Sequence, residues 1–206
     1  MDRLRPSWSR AWQAVRGPDD APLFERLIAA WSEAHRRYHT LQHLAECVAT
    51  MGTVARLAVR PTEVELAIWF HDAVYDVRSD ANEVLSAGWV RQVARDADAP
   101  PEVAERLHDL VMATRHDGVP ASPDEALLVD IDLSILGASA DRFDEYERQI
   151  REEYAWVPEA DFRRRRRDVL ARFLARPAIY RTAHFRGVLE SQARENLARS
   201  IEQLDP

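Results

Sequence analysis

Seven histidines and one cysteine leave imidazole and carboxylate as the groups from which this chain could build a metal site or an acid–base centre. Three His-Asp pairs occur: His71-Asp72, His108-Asp109 and His116-Asp117. Their surroundings differ. His71-Asp72 follows the apolar run Leu66-Ala67-Ile68-Trp69-Phe70, which carries the pair toward the core, whereas the other two lie in or after a more polar helix. A buried imidazole beside a buried carboxylate is costly unless each is hydrogen-bonded, paired or bound to a cation. Metal binding is therefore expected at His71-Asp72 ahead of a satisfied core pair.

Upstream, His35, His39 and His43 are spaced by four. One continuous helix would stack all three on one face. A break at Tyr38–Thr40 would instead bring His39 in from a loop and leave His43 in the first turn of the next helix. An ordinary wet surface also accounts for three histidines in nine residues. Further on, Asp130 and Asp132 interrupt the apolar stretch 124–137. On a helix they differ by about 200°, so both cannot reach one ion. Asp130 is expected to cap or pair locally, which leaves Asp132 as the ligand candidate; a buried salt bridge to an arginine is the competing account.

The elements that position these groups read as helical throughout, with breaks marked by Pro or Gly. The periodicity predicts helices near 7–16, 21–36, 41–57, 61–76, 80–97, 101–115, 124–136, 139–155, 159–175 and 185–204. Ser7 and Thr40 are expected as N-caps. Pro61 and Pro101 suit first-turn positions, and Gly118 and Gly137 suit C-terminal caps. Trp8 and Trp12, spaced by four, are expected to pin the first helix to the body. The last helix carries an apolar stripe at Val188, Leu189, Ala193, Leu197, Ile201 and Leu204. The expectation is an all-α bundle of about ten helices in a single domain over 1–206. Residues 1–20 would form an N-terminal helical arm, and 139–206 a C-terminal helical extension packed on the core.

Composition narrows the function classes. Among 206 residues, 46% are hydrophobic and 31% charged, a globular balance. The net charge of −7 argues against a general nucleic-acid binder. Six glycines, all scattered, build no phosphate-cradling loop. The lone Cys47 excludes an internal disulfide and any cysteine-based zinc site, and a reducing cytoplasm fits it. No secretory segment or membrane span is expected. The run Arg163–Arg167 points all round a helix and is expected to be solvated or paired within the chain.

Several motifs, taken in order, resemble the HD-domain superfamily of metal-dependent phosphohydrolases. The closer similarity is to a family of predicted bacterial HD phosphohydrolases of about this length. It rests on Tyr38-His39-Thr40-Leu41-Gln42-His43, on Phe70-His71-Asp72-Ala73-Val74-Tyr75-Asp76, on Asn82-Glu83 followed by Ser86-Ala87, and on Asp130-Ile131-Asp132-Leu133-Ser134-Ile135-Leu136-Gly137. It continues through Ile179-Tyr180 to Ala193-Arg194-Glu195-Asn196-Leu197 and covers most of the chain.

The resemblance implies His43, His71, Asp72 and Asp132 as ligands of a divalent ion, whether Mn, Fe, Mg, Zn, Co or Ni. The Tyr-His-x-x-x-His element is also similar to that of cyclic-nucleotide phosphodiesterases, which implies His39 as general acid. The branch that cleaves cyclic dinucleotides has Lys where this chain has Tyr75, and Asp76 is an approximate stand-in for a catalytic Glu of the nucleotidase-like branch. Asp132 could also orient the attacking water. Arg37, Glu83, Arg115 and His116 are candidates for contacts with a phosphorylated substrate, and His116 alternatively for a second metal. The implied function is hydrolysis of a phosphate ester or anhydride of a small molecule of the nucleotide kind. Alternatives are an HD-type di-iron oxygenase, which would need His108 or His116 as extra ligands, and a non-catalytic nucleotide or metal sensor. Oligomeric state is left open.

Overall fold

The computed structural model describes residues 4–15 and 20–204. Among the described residues the chain forms ten α-helices and no strand, the all-α architecture that its periodicity predicts. It divides into two compact units, 1–131 and 132–206. The first holds α1 (Leu4–Ala11), α2 (Ala21–Ala30), α3 (Leu41–Val54), α4 (Pro61–Phe70), α5 (Asn82–Asp96), α6 (Pro101–Ala113) and α7 (Pro123–Asp132), with the boundary on the last residue of α7. The second holds α8 (Ala140–Glu153), α9 (Glu159–Leu174) and α10 (Ala183–Leu204).

The first unit is built round α4, in which every residue from Glu63 to Phe70 is buried. A helix apolar on all sides belongs inside a core, and its two buried acids are paired. Arg106 grips Glu63 through two bonds of 2.8 and 2.7 Å, while Ser7 and Arg10 donate to one oxygen of Glu65 at 2.7 and 2.8 Å. Trp8 stacks on Trp12 at 5.0 Å and meets Trp69 of α4 edge-on at 5.4 Å, so the tryptophans hold α1 against α4 as their spacing predicts. Ser7 is not the expected cap. It lies inside α1, where Glu65 and the Trp69 indole satisfy its hydroxyl.

Two predicted helices end early, both beside the candidate site. The 21–36 segment stops at Ala30 and the 61–76 segment at Phe70. Continuing α4 would give the carbonyls of Asp72 and Ala73 to amides four residues on; the Arg36 guanidinium takes them instead, at 2.6 and 3.1 Å. The amides of Val74 and Asp76 find other partners, donating to Ser86 Oγ and Asn82 Oδ1 at 3.0 Å each. These long-range side chains outcompete the local ladder. Thr40 does cap α3, accepting from the Gln42 amide, and Pro61 and Pro101 open α4 and α6.

In the second unit a 3-10 turn over Leu133–Gly137 follows α7. Asn196 of α10 donates to the carbonyls of Leu136 and Ala138 at 2.9 Å, and the Tyr180 hydroxyl donates to that of Leu133. Within the arginine run, Arg166 is the inward member, paired with Glu147 and lying 5.0 Å over the Tyr146 ring. Burial pushes the Tyr146 phenol above its ordinary pKa against the pull of Arg166. The expected stripe on α10 is corrected: Val188 is exposed, and the buried face is Phe185, Ala193, Asn196, Leu197 and Ser200.

The glycine expectations are corrected too. No glycine among the described residues has positive φ; the left-handed positions are Asp98 and His116. Gly137 is needed for space, since a Cβ there would lie 2.7 Å from the Leu189 Cβ and 2.9 Å from the Leu189 carbonyl oxygen. Gly137→Ala is expected to cost about 1–3 kcal/mol, whereas Gly52→Ala, in a helix with nothing within 4 Å of the new Cβ, should stabilise by about 0.4–1 kcal/mol. Urea midpoints at equal slopes measure both.

Candidate metal centre

The chain breaks between α2 and α3, so His39 comes from a loop and His43 lies in the first turn of α3. His71 and Asp72 follow α4, and Asp132 is the last residue of α7. Asp124 in the first turn of α7 accepts the amides of Val59 and Arg60, tying α7 to the start of α4.

The two imidazoles meet at Nε2, 3.1 Å apart, and both are buried. With metal–nitrogen bonds of about 2.0–2.1 Å, adjacent ligands of one ion stand about 3.0–3.4 Å apart, so the pair has ligand spacing. Asp72 brings one carboxylate oxygen to 3.1 Å from His71 Nε2 and 3.9 Å from His43 Nε2. His43, Cys47, His71 and Asp132 each offer a ligand atom within 4.8 Å of the others, a group that can hold a metal ion. Three of the four expected ligands are in that group, and the fourth, Asp72, faces both of its imidazoles.

The donor chemistry fits a cation. His71 Nδ1 lies 2.8 Å from the Ile68 carbonyl, which can only accept, so Nδ1 carries a proton and turns Nε2 toward the cluster. A carboxylate oxygen 3.1 Å from that nitrogen needs positive charge between them, as a proton or an ion. On His43, Nδ1 meets the Tyr38 hydroxyl at 3.0 Å. A phenol can donate or accept, so it supports either imidazole tautomer. The Trp31 indole packs against both rings, with centroids 6.2 and 5.4 Å away, and donates to the Trp69 carbonyl at 3.0 Å.

Cys47, set aside in the sequence because a lone cysteine is too few for a cysteine-based zinc site, stands in the group that could hold a cation. It sits one turn beyond His43 on α3, and this spacing was the signal available in the sequence. Its thiol lies 3.8 Å from both ring nitrogens of His43. Equidistance places the sulfur beside the ring's midline rather than in front of the Nε2 lone pair. In this arrangement the thiol walls the site, and the imidazoles and carboxylates aim at it.

The other candidates are placed as follows. His39 is half-buried and stacked on Tyr75, with ring centroids 4.0 Å apart and planes at 27°. Asp76 is exposed, and its carboxylate accepts the Arg78 amide at 2.9 Å, the bond of a local turn. Asp130 is fully buried and outside the ligand group; Glu83 in the first turn of α5 and His116 in its left-handed turn are half-buried and outside it too. Arg37 is exposed and donates to the carbonyls of Ala34 and Arg36. Arg115 pairs with Asp117, and His108 with Asp109. Sequence reasoning passed over Trp31 and Arg36 and gave Tyr38 a place in a motif but no role, although all three pack beside the candidate ligands.

Comparison with family models, with curated protein sequences and with solved structures gives no match for this chain. No helix among the described residues is long and apolar enough to cross a membrane.

His43→Ala or His71→Ala should reduce Co²⁺ binding to background, while Cys47→Ala should keep it within about tenfold of wild type, a loss below about 1.4 kcal/mol. Calorimetric titration decides between the thiol as wall and the thiol as ligand.

Proposed function

We propose that this chain is a metal-dependent phosphohydrolase acting on a phosphate ester or anhydride of a small molecule of the nucleotide class. The observation that carries the metal half is the buried Nε2–Nε2 pair at 3.1 Å with a carboxylate oxygen at 3.1 Å from one member. The phosphate half is supported by the order of motifs shared with HD phosphohydrolases and by a histidine, His39, held beside the cluster without being one of its ligands.

His43, His71, Asp72 and Asp132 would hold the ion, with Cys47 at its side. When bound, a divalent ion supplies a water of lowered pKa and neutralises charge on phosphoryl oxygens. The chain's own groups do the rest. His71 is fixed by the Ile68 carbonyl and cannot swing away. Asp132 orients the attacking water. His39, kept in place by its stack on Tyr75, holds the proton that the leaving oxygen takes; a positioned acid of this kind contributes about 10²–10⁴-fold. Asp76, engaged in its turn, is assigned no proton transfer. A di-iron oxygenase is less well supported, because neither His108 nor His116 belongs to the ligand group. A non-catalytic sensor with the same ligands differs only in turnover.

The test is phosphate release from a panel of nucleotides and simple phosphate esters with Mn²⁺, Mg²⁺, Ni²⁺, Co²⁺ or Fe²⁺. Asp72→Ala should lose bound metal and turnover together. His39→Ala should keep its metal while kcat falls about 10²–10⁴-fold. Full metal occupancy in Asp72→Ala, or undiminished turnover in His39→Ala, would refute these assignments.

A further inference from the structure

Arg36 has a side chain with no solvent exposure. Burying a guanidinium costs several kcal/mol unless its donors find acceptors, and here they find them on two segments distant in sequence. Nε and Nη2 bond Glu33 at 3.0 and 2.9 Å. Nη1 donates to the carbonyls of His39, at 3.2 Å, and Asp72, at 2.6 Å; Nη2 adds that of Ala73 at 3.1 Å. The guanidinium carbon lies 5.6 Å from the Trp31 ring centre and 5.4 Å from that of Tyr75, the ring on which His39 stacks. The Asp72 and Ala73 carbonyls follow the C-terminal end of α4, where a cation also meets the negative pole of the helix.

We propose that Arg36 is a positioning residue for the metal centre. Its guanidinium fixes the backbone of the ligand Asp72 and of the candidate acid His39 against one another, so that both side chains face the imidazole pair in register. The proposal rests on the metal assignment above. It requires a planar fork, because one nitrogen serves both segments while the other two hold Glu33 and Ala73. An ammonium is a point charge and cannot reproduce that spread. A capping residue alone would leave ion affinity untouched once the chain is folded.

Co²⁺ alone serves as the probe, titrated into the full chain as wild type, Arg36→Met and Arg36→Lys, with folding checked by cooperative thermal melting. Groups that orient ligands typically contribute about 10–100-fold in metal affinity, so Arg36→Met should bind Co²⁺ about 10–100-fold more weakly with an altered d–d absorption band, and Arg36→Lys should fall between it and wild type. Ser7→Ala, which removes contacts to Glu65 and Trp69, provides a destabilised reference whose affinity and band should not move. A folded Arg36 variant with the wild-type affinity and band overturns the proposal while leaving the metal site standing. Absence of Co²⁺ binding by the wild type removes the metal assignment itself, and this proposal with it. Should Arg36→Met not fold, the affinity and band of Arg36→Lys decide alone.

Discussion

A helix buried on every side must end somewhere inside the protein, and its last carbonyls then have no water to turn to. That constraint at the end of α4 organises the first unit. The chain meets it with side chains and one tight turn: the His71 ring and the Trp31 indole take the Ile68 and Trp69 carbonyls, the Ala73 amide takes that of Phe70, and the Arg36 guanidinium takes those of Asp72 and Ala73 just beyond. Because the indole and the cation both come from a segment thirty-odd residues upstream, satisfying the helix end and the turn after it also ties that segment down. His35 adds a second tie, donating to the Tyr75 carbonyl at 2.8 Å. Two irregular segments thereby have their backbone groups satisfied by side chains instead of by a ladder.

The candidate ligands come from three helix ends. Thr40 starts α3 so that His43 falls in its first turn; α4 stops so that His71 and Asp72 lie just past its last turn; α7 ends on Asp132. Each imidazole is oriented from behind, His71 by a carbonyl and His43 by a phenol. Oriented rings on rigid elements are what a metal site needs, since partners behind the ligands set the tautomer and the aim of the lone pair. Trp31, itself fully buried, packs against both buried rings.

Much of this was legible in the sequence. The helix inventory follows from periodicity and from prolines at first-turn positions. The apolar run before His71 announces a buried imidazole, and the structure buries His71 with Asp72 partly open beside it. Helical geometry says that Asp130 and Asp132 cannot both reach one ion, and Asp132 alone of the two stands in the group that could hold one. What could not be read is what depends on partners far along the chain. Periodicity carries α2 on to residue 36 and α4 to 76 because nothing local says that Arg36, Ser86 and Asn82 will claim those backbone groups. Arg36 and Arg37 look alike as letters; only the fold buries one and exposes the other. Gly137 was legible as a special position, but its reason is a neighbour fifty residues away rather than its own dihedral angle.

The phenol behind His43 has a consequence of its own. With no ion present, Tyr38 gives its proton to Nδ1, and His43 Nε2–H then points at the lone pair of His71. With an ion present, the same oxygen can receive a proton from Nδ1. In either arrangement both ring nitrogens of His43 have partners, whereas the Asp72 oxygen 3.1 Å from His71 Nε2 still calls for a proton or a cation between them. The phenol thus lets His43 present either a proton or a lone pair to the cluster, and the charge of the cluster is decided at the Asp72–His71 contact.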